Sequence, residues 1–101
     1  MNEIVNEKFN EFCEKQKIDI SSIDPDVVVS CSLVTEILNE NDVNLSIIRA
    51  QNDIIFSVES LDYSSIISRL FAEATLNVKC YDIYNTGRGV KIIFTYENAI
   101  K

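Results

Sequence analysis

Asp24-Pro25-Asp26 sets two carboxylates two residues apart, the type of pair that metal-dependent nucleases use to hold a divalent cation. No Glu-x-Lys follows on a strand to complete such a centre, and the same three residues already describe a helix start, so capping is the simpler account. Cys13, Cys31 and Cys80 are candidate nucleophiles or ligands. A cysteine nucleophile needs an activating base or a positive setting, and no histidine occurs among the 101 residues. The three thiols are odd in number, far apart and in no CxxC arrangement, which favours buried structural residues over a metal or redox role. Ser21, Ser22, Ser64 and Ser65 sit in no Gly-x-Ser-x-Gly context and read as turn and cap residues. The best remaining constellation is Tyr84, Arg88 and Lys91 around Asn85-Thr86-Gly87-Arg88-Gly89, which holds both glycines of the chain. These residues imply no cofactor, no metal and no enzyme.

Charge is more informative than any motif. From Ile18 to Asp62 there are nine acids (Asp19, Asp24, Asp26, Glu36, Glu40, Asp42, Asp53, Glu59 and Asp62) against Arg49 alone. From Tyr63 onward five bases face three acids, within a formal net charge of −7 for the whole chain. Such segregation suits a basic partner surface or head-to-tail association of unlike ends, and Asp19, Asp24, Asp26, Glu40 and Asp42 are the candidate contact residues. Lys79, Tyr81, Tyr84, Arg88 and Lys91 do combine cations with stackable rings on a β-ribbon. An acidic body opposes phosphate, however, so negligible retention on DNA near physiological salt is expected.

The elements that must position these residues follow from periodicity. Val5, Phe9, Phe12, Cys13 and Gln16 recur at helical spacing and predict a surface helix over Asn2 to Lys17, with Glu3, Glu7, Glu11, Glu14 and Lys15 toward water. Asp24-Pro25-Asp26 opens a second segment that alternates like a strand in Val27, Val28 and Val29, yet repeats Val27, Cys31, Val34 and Leu38 at helical spacing. Helix over Pro25 to about Asn39 is the preferred assignment, apolar on nearly every side and therefore sandwiched or in an interface. Asn44 to Arg49 and Ile54 to Glu59 form a hairpin with Leu45, Ile47, Ile54, Phe56 and Val58 on one face. A third helix is expected over Tyr63 to Thr75, and a second hairpin over Val78 to Tyr84 and Val90 to Glu97, with Val90, Ile92, Phe94 and Tyr96 inward.

The resulting fold class is α+β, in the order α-α-β-β-α-β-β, an antiparallel four-stranded sheet with helices packed on it, forming one compact domain over residues 1–101. Ile48, Ile55, Tyr81, Ile83 and Ile93 should then lie on the outer face of the sheet as a self-association surface, covered by the valine-rich helix or by a second copy. No apolar run reaches the length of a membrane span and Met1-Asn2-Glu3-Ile4 lacks the features of an export signal, so a cytoplasmic protein is expected, without membrane partners. Nothing in these residues names a function. They favour a small acidic, non-catalytic protein-binding module, a regulator or inhibitor of a larger protein such as a nucleic-acid-binding one. A homo-oligomeric assembly component, such as a dimer, is the alternative, and nucleic-acid binding through the Tyr84 to Lys91 tip comes third. Fifteen isoleucines and ten asparagines with no tryptophan fit AT-rich coding, compatible with a phage- or virus-encoded antagonist acting in the host cytoplasm.

Overall fold

The computed structural model describes residues 6–38, 43–61, 80–85, 87 and 89–101. Their order is helix α1 (Glu7–Lys15), a single 3₁₀ turn (Ile20–Ser22), helix α2 (Pro25–Ile37), then strands β1 (Val43–Ala50), β2 (Asp53–Ser60), β3 (Cys80–Asn85) and β4 (Val90–Tyr96). The expected helix over Tyr63 to Thr75 lies outside the described residues, as do Glu40, Asp42 and Arg88.

Helix α1 starts where the Asn6 side chain accepts from the backbone N–H groups of Lys8 at 2.8 Å and Phe9 at 3.3 Å. It ends in a Schellman motif: Lys17 has a φ of 58°, its N–H donates to the Glu14 carbonyl, and the Ile18 N–H reaches the Cys13 carbonyl at 2.8 Å. The inward stripe is Phe9, Phe12 and Cys13; Gln16, assigned inward from its spacing, is exposed because it has become the C-cap.

Helix α2 confirms the capping account of Asp24-Pro25-Asp26. The Asp24 carboxylate accepts from the Asp26 N–H at 2.9 Å, Pro25 fills the first turn, and Asp26 adds negative charge at the positive end of the dipole. Helical spacing wins over β-branching here because Val28, Cys31, Val34 and Leu38 bury together. Burial wraps round a wide arc, taking in Ser30, Ser32 and Thr35 as well, so the sandwiched placement holds. On one flank the Ser32 hydroxyl receives the Asn6 N–H at 3.1 Å, and on another the Ser30 and Tyr96 hydroxyls meet at 2.9 Å.

The sheet is antiparallel throughout, in the order β1-β2-β4-β3. Register gives four core-facing rows, Val43–Ser60–Val90, Leu45–Val58–Ile92, Ile47–Phe56–Phe94 and Arg49–Ile54–Tyr96. Ile54, Phe56, Val58, Val90, Ile92, Phe94 and Tyr96 are buried in one cluster with the inward residues of both helices. Each such side chain contributes about 1.5–3 kcal/mol by leaving water.

The valine-rich helix shares the core with the inward strand residues, so of the two covers expected for the outer face, that helix or a second copy, it is not the helix. Tyr81 and Ile83 are the register partners of Phe94 and Ile92, which puts both positions on the core side of the ladder, not beside Ile93. Asn85 pairs with Val90, so the connection has four residues, and that parity decides the side of every β3 position.

Residues 99–101, after β4, tie the parts together. Ile100 bridges Ile23, its N–H donates to the Asn52 carbonyl at 3.0 Å, and the Lys101 N–H donates to the Ser22 carbonyl at 2.9 Å. Ala99 and Ile100 are buried beneath these bonds.

Candidate protein-binding surfaces

The turns that lead into α2 carry three of the candidate acids. Asp19 is exposed; its carboxylate accepts from the Ser21 hydroxyl at 2.8 Å and the Ser21 N–H at 3.0 Å. The hydroxyl, then the amide, hold its pKa below the ordinary carboxylate value. Asp24 is half-buried as the helix cap and Asp26 is exposed one turn-residue on. These side chains therefore display charge from capped, preorganised backbone. Glu36 on α2 and Glu59 on β2 are also exposed.

On the outer face of the sheet, register builds three rows: Asn44–Glu59–Lys91–Tyr84, Ser46–Ser57–Ile93–Asp82, and Ile48–Ile55–Thr95. Of the five residues assigned to one self-association face, only Ile48, Ile55 and Ile93 share it. Ile48 is 50 % exposed, while Ile55 and Ile93 are half-buried. Ile83 is exposed from the other side, at the open flank of β3. The apolar set is thus small and set among polar side chains.

The hairpin tip is partly assembled. Tyr84 and Lys91 are direct cross-strand neighbours on the outer face, with Glu59 the register partner of Lys91 on its other side. Gly87 takes a φ of +83°, as the turn requires. Gly89 has a different reason: a Cβ there would overlap the Ser60 carbonyl oxygen and stand 2.9 Å from the Leu61 Cα.

Sequence reasoning missed a buried polar cluster. Burial pushes the Cys13 thiol up to about 11, and pushes Cys31 well above its ordinary value, with the neighbouring Cys13 adding to the effect. Burial also raises Tyr96, and the adjacent Cys31 reinforces it. Both described thiols stay protonated at neutral pH, the unreactive form. Among the described residues no buried side-chain nitrogen or oxygen lacks a partner. Nor do these residues bring three or more His, Cys, Asp or Glu together to hold a metal ion. A shallow groove of about 210 Å³ runs between α1 and β1, lined by Lys8, Glu11, Phe12, Lys15, Gln16 and Ile47, and is too open to enclose a small ligand. Among the described residues no helix is long and apolar enough to cross a membrane.

The arrangement defines a small α+β domain with open surfaces. No family model, no curated protein and no solved structure matches the chain.

Proposed function

We propose that the chain is a small acidic, non-catalytic module that docks on a larger protein through its Ile18 to Asp62 segment and regulates or inhibits it. The partner surface is basic, as on a nucleic-acid-binding protein, and a phage- or virus-encoded antagonist working in the host cytoplasm is the form this reading takes. One observation carries it: nine acids face one base in that segment, and Asp19 and Asp26 stand exposed on turns that side-chain caps hold in place. Charge carried on ordered backbone steers association at little ordering cost.

The test removes charge and keeps the caps. Asparagine caps as aspartate does, so Asp19→Asn, Asp24→Asn and Asp26→Asn combined preserve the turns and delete three charges. Wild-type protein should retain a partner in affinity capture, and the triple variant should associate with it more slowly and with a flatter salt dependence. Equal association rates and equal salt slopes for the two proteins overturn the reading.

A second reading, a homo-oligomeric assembly component, is favoured by the exposed Ile48 next to Ile55. Sedimentation over micromolar concentrations tests it, and a persistent monomer rejects it.

A further inference from the structure

Among the described residues, strand β1 is one edge of the sheet and the place where its core runs out. Burial alternates fully along β2 and β4, yet no residue of β1 is buried: Val43, Leu45 and Ile47 are only partly covered on the core side, and Ile48 is 50 % exposed on the other. Edge strands that avoid company carry lysine, proline or a bulge. From Val43 to Ala50 there is no proline or lysine, and the pairing with β2 runs through all eight positions without a break. Arg49, its one charge, is folded back, with Nε donating to the Gln51 carbonyl at 2.9 Å and Nη1 to the Gln16 carbonyl at 3.4 Å.

We propose that β1 pairs with β1 of a second copy about a two-fold axis at Ser46, joining two four-stranded sheets into one. Hairpin geometry fixes the register. Ala50 and Asp53 close a two-residue turn, so they exchange both backbone bonds, and the alternation leaves Val43, Leu45, Ile47 and Arg49 with N–H and C=O groups directed away from β2. An axis at Ser46 is the antiparallel arrangement that uses all four, setting Leu45 opposite Ile47 of the second copy and Val43 opposite Arg49. It covers the apolar residues that a single copy leaves half-open. Self-complementarity selects a second copy as occupant, since about this axis the four outward residues meet one another, and β1 holds no carboxylate, so two molecules of net charge −7 can approach there with least repulsion. This inference deepens the self-association reading and uses none of the acids of the docking surface, although β1 lies within the same Ile18 to Asp62 segment.

Sedimentation equilibrium at micromolar concentration should give twice the 11.5 kDa protomer mass for the wild type. Ser46→Lys, at an exposed position, should give the protomer mass with an unchanged circular dichroism spectrum. Ser46→Cys should cross-link to itself under mild oxidation, because its two copies meet at a non-hydrogen-bonded pair within disulfide reach. Asn44→Cys should not, since its copies lie about 13 Å apart along the ladder. A monomeric wild type overturns both this pairing and the self-association reading, including when that monomer binds an extended peptide along β1. A dimer that survives Ser46→Lys, or that cross-links through Asn44→Cys and not Ser46→Cys, overturns the pairing alone.

Discussion

The hydroxyls of Ser30 and Tyr96 meet at 2.9 Å in the seam between α2 and β4, 66 residues apart in sequence and both buried. The contact fixes how the helix is rotated on the sheet, because each hydroxyl satisfies the other where no water can. Tyr96→Phe leaves the Ser30 hydroxyl without this partner and should cost about 1–3 kcal/mol; Ser30→Ala should cost a similar amount. The double variant should lose clearly less than the sum, since it removes both ends of one bond. Urea unfolding of the four proteins checks the cycle, and strict additivity would show the bond to be idle.

Gly89 and Gly87 make contrasting demands on the second hairpin. Gly87→Ala adds a methyl where nothing lies within 4 Å but φ is +83°, so it should destabilise by about 1 kcal/mol. Gly89→Ala drives a methyl into the Ser60 carbonyl, backbone that cannot swing aside, and should cost more than about 2 kcal/mol. Thermal unfolding should rank the variants in that order.

Lys17 occupies the left-handed C′ position of α1 at a φ of 58°, where glycine is free of strain. Lys17→Gly should therefore stabilise the protein by about 0.5–1 kcal/mol, even though glycine gives the unfolded chain more freedom. A lower denaturant midpoint in the variant would contradict the motif.

Stability should fall in alkali. Cys13 has its folded pKa raised from 9.0 to about 11, and Cys31 and Tyr96 shift in the same direction. Each raised group contributes stability that is complete below its unfolded pKa and lost as pH climbs through the folded one. Denaturation midpoints should thus hold between pH 7 and 8.5 and decline from about pH 9 to 11. Cys13→Ala should shallow that decline.

Much of the fold can be read from local signals. Asp24-Pro25-Asp26 announces the start of α2, and Val90, Ile92, Phe94 and Tyr96 alternate strictly enough to fix both the strand and its inner face. What escaped depends on counting across a gap. Tyr81 and Ile83 were placed by their apolarity, but their side is set by whether the Asn85 to Val90 connection holds an odd or even number of residues. Likewise, nothing within Val27 to Leu38 says how the helix is rotated on the sheet; that depends on the hydroxyl of Tyr96, far along the chain. Among the candidate contact residues, the capping position of Asp24 was legible because capping is a matter of near neighbours, whereas the Asp19 cap of the 3₁₀ turn was not foreseen. The exposed condition of β1 was not, because strand order is a property of the whole sheet.

The two bonds and the bridge made by Ile100 and Lys101 span the loop before α2 and the turn between β1 and β2 at once. Closing a loop of nearly eighty residues is entropically costly, so this latch shuts only after helix and hairpin are already side by side. Trimming Ile100 and Lys101 would leave every regular element present in sequence while freeing α2 and the hairpin to drift apart.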